Sequence, residues 1–398
     1  LVAPTTLGAN AGTVTMTTGG GALSFANTLD GNSSGTQNLT ISTTGGTVTF
    51  TGKVGNSQAL GSLLVNNSGG SGAIVFTEDI GGTNAGITGT TTIGNTATGS
   101  ITFSNDVYKT GGTTSYRANA GANLDVNGAD TTFTTSGDAI SFLEADVTIA
   151  AGTLTVNSVG GAITFGGSII GTDKENLVLN ANDAVAHGGV GDSSTETISV
   201  AVIGSSNEIH TIGLTGADGI TLGGNITTMN GGSAANATFT GPVLLGADVV
   251  IDTDHAANDG ALTFSSTIDS TGSARNFDIG TGTGNVTISG TIGDSSALAT
   301  LDINEADAQT GTISIAAIGG SNAGVTGVSN IGNDDTGTVT LSGVDYNTGG
   351  ATYFEAISSG SIDITGVNAD FDTSNDVLSF LVAPTTLGAN AGTVTMTT

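Results

Sequence analysis

Residues able to act as catalysts are scarce in this chain, which has three histidines, no cysteine and no tryptophan among 398 residues. The segment Gly31–Gly35 (Gly-Asn-Ser-Ser-Gly) fits the G-x-S-x-G pattern of a serine-hydrolase nucleophile. That chemistry needs a turn from a strand into a helix, with Asp and His partners nearby. Because the chain is rich in Gly and Ser, such a match is expected by accident, and we predict a turn between strands here.

The histidines show no spacing typical of a catalytic or metal-binding pair. His187 precedes two glycines in a predicted turn, His210 lies in an alternating run, and His255 follows Asp-Thr-Asp. H-E-x-x-H, C-x-x-C and a P-loop lysine are absent from the sequence. We therefore interpret the histidines as surface residues and predict that the protein is not an enzyme, with no catalytic residue assigned.

Acidic groups are the better candidates for a binding site. Asp302, Glu305 and Asp307 lie close together in the sequence, and Asn333–Asp335 forms a second oxygen-rich group. Oxygen ligands that converge at a corner suit Ca²⁺. The Ca²⁺-binding β-roll motif is absent, however, because Gly188–Asp192 places its aspartate one residue early. Solvated corners are the favoured interpretation, so we predict no metal ligands and no cofactor, with Ca²⁺ as the alternative.

Threonine and tyrosine are candidate ligand-binding residues of an outer face. Thr13–Thr15 and Thr153–Thr155 each project two hydroxyl groups, as ice-binding solenoids do, but the pairs do not return on each successive predicted coil. Outward threonine is also common in ordinary strands. Glycan cleavage would need paired carboxylates and aromatic platforms. The chain offers few aromatic residues for such platforms, and its tyrosines are Tyr108, Tyr116, Tyr346 and Tyr353.

The charge balance excludes several partners. Asp and Glu number 34 against five Lys and Arg, which gives a formal net charge of −29. Nucleic acid and anionic membrane surfaces both require clustered cations, so neither is a predicted partner. There is no apolar run of about 18 residues, and hence no predicted membrane-spanning segment. The absence of cysteine excludes disulfide bonds.

The elements that must position these residues are short strands. Apolar residues alternate in triads such as Val14–Met16, Leu39–Ile41 and Leu63–Val65, which recur about every 24 residues with further triads between them. Alternation with period two predicts strands with one buried face. Between them lie turns with glycine, such as Asp30-Gly31. We predict an all-β parallel β-solenoid with two or three strands per coil of about 24 residues and almost no helix; a string of β-sandwiches is the alternative.

Two repeats organise the chain. Leu1–Thr18 recurs without change as Leu381–Thr398, a shift of 380 residues, and a shift of 238 residues aligns Gly81–Gly89 with Gly319–Gly327. We predict a continuous solenoid with a first unit at residues 1–142, a shorter unit at 143–238 and a copy of the first unit at 239–380. Residues 381–398 are interpreted as the start of the next 380-residue repeat in a tandem array.

Two further segments, Gly219–Thr228 (GITLGGNITT) and Thr240–Asp248 (TGPVLLGAD), resemble the β-strand repeats of giant bacterial surface adhesins of the filamentous-haemagglutinin type. This resemblance implies a right-handed parallel β-helix that is exported to the cell surface or the medium. The predicted function is therefore a structural repeat of a long extracellular filament or giant adhesin. Predicted partners are further copies of the chain, head to tail, and other cell surfaces or glycans. An adhesin module that binds glycan, or less favourably ice, on its outer face is the alternative.

Overall fold

A computed structural model describes residues 1–183, 195–229, 231–255, 258–306 and 308–398, and these contain strands, turns and irregular segments but no helix. The chain forms two compact units. Unit 1 comprises Leu1–Ala201, Ser205–Glu208 and Thr215–Ala217, and unit 2 comprises Val202–Gly204, Ile209–Leu214 and Asp218–Thr398. The units are built from parallel β-solenoid turns, about 15 in all and about 25 residues each, which confirms the predicted fold class. The proposed repeat boundaries at residues 142 and 238 remain a prediction.

The strands of unit 1 form three parallel ladders, each of which takes one strand from successive turns. The first ladder contains β2 (Thr13–Thr18), β5 (Asn38–Thr43), β7 (Ser62–Val65), β9 (Thr91–Gly94), β12 (Thr114–Arg117), β15 (Ile140–Leu143), β18 (Ile163–Phe165) and β21 (Thr197–Val200). The second contains β3 (Leu23–Phe25), β6 (Val48–Phe50), β8 (Ile74–Phe76), β10 (Ile101–Phe103), β13 (Asn123–Val126), β16 (Asp146–Ile149) and β19 (Ile169–Ile170). The third contains β1 (Thr5–Thr6), β4 (Leu29–Asp30), single bridges at Val54 and Ile80, β11 (Val107–Lys109), β14 (Asp130–Thr134), β17 (Thr153–Asn157) and β20 (Asn176–Asn180).

Unit 2 is built in the same way. Its first ladder contains β22 (Thr211–Thr215), β25 (Ala237–Thr240), β28 (Leu262–Phe264), β31 (Val286–Ile292), β33 (Ile313–Ile318), β35 (Thr338–Leu341), β38 (Ser361–Ile364) and β41 (Thr385–Leu387). The second contains β23 (Gly219–Leu222), β26 (Val243–Leu245), β29 (Ile268–Ser270), the ends of β31 and β33, β36 (Asp345–Asn347), β39 (Asp370–Asp372) and β42 (Thr395–Thr397). The third contains β24 (Ile226–Thr227), β27 (Val249–Asp252), β30 (Asn276–Gly280), β32 (Thr300–Ile303), β34 (Ser329–Ile331), β37 (Thr352–Ala356) and β40 (Leu378–Val382).

Alternating side chains explain why these segments form strands with one buried face. In β5, Leu39, Ile41 and Thr43 are fully buried, while the residues between them are partly exposed. Equivalent inward positions of successive strands lie in register, so apolar side chains stack along each ladder. The rings of Phe25, Phe50 and Phe76 are parallel within 3°, with centroids 5.2 and 4.8 Å apart. Stacked aromatic rings of this kind form the interior of the turns.

The tight corners depend on glycine where the backbone takes a left-handed conformation. Gly152 has a φ of +59°, and a Cβ atom there would lie 1.5 Å from the carbonyl oxygen of Ala129 on the preceding turn. No side chain fits at that distance, so the corner before β17 requires glycine. The corresponding corner before β2 has Gly12, whose φ is +54°.

Candidate association edges

The repeated 18-residue sequence forms strands at Leu1–Thr18. As β1 and β2 it pairs with the turn that follows it, with Thr5 opposite Leu29 and Met16 opposite Ile41. The side chains of β2 are exposed or half-buried along the whole strand. The side chains of Val14 and Met16, which were predicted to face the interior, are therefore only half-buried, because β2 lies at an end of unit 1.

The same sequence forms strands again at Leu381–Thr398, where it pairs with the turn that precedes it. In β41, Thr385 lies opposite Ile362, and in β42, Met396 lies opposite Phe371. Leu387 is 59% exposed and Met396 is 49% exposed. One sequence thus bonds to a following turn in one place and to a preceding turn in the other, through opposite edges of its strands.

A turn inside unit 1 shows both edges of a related sequence in use. Strand β16 lies between β13 and β19, and β17 lies between β14 and β20. The sequence of β17 (Thr-Leu-Thr-Val) echoes Thr13–Met16, and both follow a left-handed glycine. Leu154 and Val156 of β17 are fully buried. The interior turn therefore shows the state that Val14 and Met16 would reach with a turn on each side.

The segment that matches the serine-hydrolase pattern is a turn between strands, as predicted. Gly31–Gly35 joins β4 to β5, and the side-chain oxygen of Gln37 accepts hydrogen bonds from the backbone amides of Asn32 and Ser33, at 2.9 and 3.1 Å. These hydrogen bonds fix the turn through the side chain of Gln37, and the turn leads into a strand rather than into the helix that a serine-hydrolase nucleophile requires.

The structure does not bring the described histidines together. His210 Nε2 lies 3.2 Å from the backbone oxygen of Ser233, and His255 Nε2 lies 3.1 Å from Thr228 Oγ1. His255 is half-buried rather than a fully solvated surface residue. His187 lies outside the described residues. Within the described ranges, no three His, Asp or Glu side chains are placed to hold a metal ion.

The acidic candidates occupy different environments. Asp302 accepts a hydrogen bond from Asn330 Nδ2 at 2.8 Å, and Glu305 is exposed. Asn333 does not belong to a solvated corner, because it is buried and its Oδ1 accepts the amides of Asp335 and Thr336 at 2.7 and 2.9 Å. Its side chain is thereby used to close its own turn. Asp307 and the segment 188–192 lie outside the described residues.

Hydrogen bonding and burial set the pKa values of several carboxyl groups. Burial raises the pKa of Asp278, and the nearby charges of Asp302 and Asp252 raise it further. Burial opposes ionisation of Glu175 as well, but hydrogen bonds from the amides of Asp173 and Thr172 and from the Thr172 hydroxyl outweigh it, so the pKa of Glu175 is lowered. These two carboxyl groups thus differ because Glu175 is held by hydrogen-bond donors, whereas Asp278 is close to other acids.

The outer threonines form a more regular row than the sequence pattern indicated. Paired Thr-x-Thr motifs do not recur on every turn, but single outward hydroxyl groups lie opposite one another on five successive strands of the first ladder of unit 2. The residues of this row are Thr238, Thr263, Thr287, Ser314 and Thr340. Three of the four tyrosines are buried and so offer no platform to a glycan; they are Tyr108, Tyr116 and Tyr346.

The chain is similar in sequence to an outer membrane protein. The chain is 29% identical over 309 residues to the outer membrane protein A of Rickettsia rickettsii, an alignment that covers 72% of this chain and 12% of the relative. The chain therefore spans about an eighth of the length of that protein. No protein-family model matches the chain, and no solved structure does so. In the part of the chain that the structure describes, no helix has the length and apolar character needed to cross a membrane.

Proposed function

We propose that this chain is a structural repeat segment of a long extracellular filament or giant surface adhesin, in which further copies continue head to tail. The observation that carries this proposal is the use of opposite strand edges by one sequence. As Leu1–Thr18 it pairs forwards, and as Leu381–Thr398 it pairs backwards. In a chain of joined copies, one such segment would pair in both directions at once.

The register of the two pairings is compatible with a continuous ladder. Met396 lies opposite Phe371, and the equivalent Met16 lies opposite Ile41. A methionine at the joint would thus lie between a buried phenylalanine and a buried isoleucine. Full burial of one such side chain contributes about 1.5–3 kcal/mol. Covering an unpaired edge also removes a template on which other strands would otherwise associate.

A surface location is supported by similarity to an outer membrane protein and by the adhesin-like style of the repeats. The solenoid fits a structural role, since each turn contacts mainly its neighbours and repeats add length without a new core. On this proposal the chain spaces or links cells, and its contacts with other cell surfaces or glycans are made from its outer face.

The joint can be tested with a two-copy chain, in which residues 1–380 are followed by residues 1–398. We expect the joint to resist proteolysis as well as the interior of each copy does. In the two-copy chain, Met396→Lys at the joint places a charge in the stacked interior, and cleavage at the joint should increase at least tenfold. The matched control is Thr395→Lys, because Thr395 lies on the outward side of the same strand, opposite Asp370.

A single-copy chain with Met396→Lys separates misfolding from loss of the joint. Met396 is half exposed there, so its unfolding midpoint should stay close to that of the unmodified chain. Equal cleavage at the joint in the unmodified and Met396→Lys two-copy chains would contradict the proposal. For the surface role, antibodies raised against the chain should label fibres on intact cells of the source organism in electron micrographs; label confined to the cell interior would overturn it.

A further inference from the structure

An acidic group lies on the outer face of the third ladder of unit 2. Asp278 in β30 is directly opposite Asp302 in β32, and Gly280 of β30 is opposite Asp252 in β27. Glu305 follows β32. Three neighbouring strands thus place carboxyl groups on one surface, and strands in a sheet lie only about 4.8 Å apart.

The amide side chain of Gln309 reaches into the same region. It covers Gly280, where an added Cβ atom would lie 3.2 Å from Gln309 Nε2. Gln309 lines a surface cleft of about 370 Å³ together with Asp278, Ile279, Glu305 and Ala306. The absence of a side chain at Gly280 provides the space in which this amide lies.

Gln309 is the feature that distinguishes this cleft from an ordinary acidic surface. The residue is only 8% exposed, and its Oε1 atom is buried without a hydrogen-bond partner among the described residues. A buried oxygen without a partner has lost its hydrogen bonds to water and gained none in return, which destabilises the folded state. Such groups are rare in folded proteins, and an ion is one of the partners that explain them.

Among the described residues, no salt bridge joins a basic side chain to a carboxyl group of the cleft. The last basic residue in the sequence is Arg275, so residues 276–398 contain no lysine or arginine. Although Glu305 is exposed, partial desolvation by the cleft and the charges of Asp302 and Asp278 raise its pKa. A bound cation would offset this repulsion and stabilise the ionised forms of Asp278 and Glu305.

The duplicated turn in unit 1 shows that the fold does not require these acids. The shift of 238 residues aligns Asp278 with Thr40 and Asp302 with Leu64, and these two are also directly opposite each other. The same shift aligns Glu305 with Asn67 and Gln309 with Ser71. The register is therefore kept while every ligand type in the cleft is replaced.

We infer that Asp278, Glu305 and the Oε1 atom of Gln309 form a binding site for a divalent cation of the Ca²⁺ type. Two carboxylates and one amide oxygen are hard oxygen ligands, and water completes the coordination of Ca²⁺. Mg²⁺ demands nearly ideal octahedral geometry and binds less well to such an open set. With two charged ligands, the dissociation constant is expected at about 10⁻⁴–10⁻³ M, as in extracellular modules.

The decisive variant is Gln309→Leu, which leaves the charge of the protein unchanged. Titration of the full chain with CaCl₂ in 0.15 M NaCl, followed by calorimetry, should give one saturable site in the unmodified protein. Gln309→Leu should weaken that site at least tenfold, and Asp278→Asn with Glu305→Gln should abolish it. Asp294→Asn is the control for a lost surface charge, since Asp294 is exposed outside the cleft, and it should bind as the unmodified protein does.

Folding of each variant is checked by its unfolding midpoint in the absence of Ca²⁺. Gln309→Leu removes the unsatisfied Oε1 atom and should unfold at or above the temperature of the unmodified chain. In 10 mM CaCl₂ the midpoint of the unmodified chain should rise, that of Gln309→Leu should rise by a smaller amount, and that of the double variant should stay unchanged. Binding by Gln309→Leu equal to that of the unmodified protein, or no saturable binding by the latter at 10 mM CaCl₂, would overturn the inference. The head-to-tail joint is tested separately and does not depend on either result.

Discussion

Asn333 donates a hydrogen bond from Nδ2 to the backbone oxygen of Asn304, 2.7 Å away on the preceding turn. Asn304 in turn accepts the backbone amide of Thr281 through Oδ1 at 2.9 Å. Three consecutive turns of unit 2 are joined by this buried polar column. Unit 1 repeats it 238 residues earlier, where Asn66 accepts the amide of Thr43 at 2.7 Å.

Replacement of Asn304 by alanine should destabilise unit 2 by about 2–3 kcal/mol. The change leaves the amide of Thr281 without its acceptor in a buried site, which costs about 1–3 kcal/mol. Asn304 also has a φ of +53°, a conformation that alanine tolerates poorly. Urea unfolding measures the loss, and Asn304→Gly separates the two causes because glycine relieves only the backbone strain. The control is Asn67→Ala, which changes an exposed asparagine and should alter the free energy of unfolding by less than about 0.5 kcal/mol. Equal effects of Asn67→Ala and Asn304→Ala would contradict a stabilising role for the asparagine column.

Tyr116→Phe should stabilise the protein by about 1 kcal/mol. The hydroxyl group of Tyr116 is buried with no hydrogen-bond partner among the described residues. Its removal therefore breaks no hydrogen bond and eliminates the cost of keeping this polar group away from water. The aligned residue of unit 2 is Phe354, which is also fully buried. Tyr346→Phe is the matched comparison, because its hydroxyl accepts the amide of Gly343 at 2.9 Å. That variant should lose about 1–2 kcal/mol in thermal unfolding, and a loss of the same size in Tyr116→Phe would refute the interpretation.

Phe50→Ala should destabilise unit 1 by about 3–5 kcal/mol. Its ring lies between those of Phe25 and Phe76, so truncation removes two stacking contacts and leaves a cavity in the interior. The effect should appear in chemical unfolding as a lower midpoint. Thr49→Ala serves as the control, since Thr49 is the outward residue of the same strand. A change below about 1 kcal/mol for Phe50→Ala would mean that the stack does not carry the stability assigned to it.

The stability difference between the unmodified chain and Glu175→Gln should depend on pH. Glu175 is 2% exposed, and its oxygens accept the amides of Thr172 and Asp173 at 2.7 and 2.8 Å. These bonds lower the pKa of Glu175 below its ordinary value of 4.5. The ionised group therefore stabilises the folded state above that value, and this contribution is lost as the pH falls through the lowered pKa.

Urea unfolding of the Glu175→Gln variant at pH 7 and at pH 3 checks this dependence. The variant should be less stable than the unmodified chain at pH 7, and the difference should shrink at pH 3. Asp173→Asn is the control, because Asp173 takes part through its backbone amide, which the substitution preserves. A difference that is constant with pH would show that the ionised form of Glu175 has no special stabilisation.

Much of the fold was predictable because period-two alternation is a local property of the sequence. Triads such as Leu39–Ile41 and Val48–Phe50 are strands with inward apolar residues, as predicted. Turn length was less regular than the expected 24 residues, since Leu63 pairs with Thr91, 28 positions later. Insertions at corners leave the strand register intact, so the sequence pattern reveals the ladders more clearly than the corners between them.

The polar interior could not be deduced from alternation alone. Asn66 and Asn304 are as buried as the leucines, but asparagine in a glycine-rich sequence favours the prediction of a solvated turn. Gln309 has no motif around it, and its relation to Asp278 exists only once the turns are stacked. The one sequence signal for both features was the 238-residue repeat, which conserves the asparagines and changes the residues of the cleft.

The buried asparagine column has a consequence for how the gene can change in length. Asn66 and Asn304 occupy the same place in their turns, and Leu63 and Leu301 lie opposite Thr91 and Ser329 in the same register. Recombination between the codons that follow Asn66 and Asn304 would remove residues 67–304. In the shortened protein Leu63 would lie opposite Ser329, and the neighbouring residues would keep their register. Such a deletion leaves each remaining strand opposite an equivalent partner, so the strand register of the solenoid survives it. Natural variants of this protein should therefore differ in length by this 238-residue unit, with their remaining strands still in register.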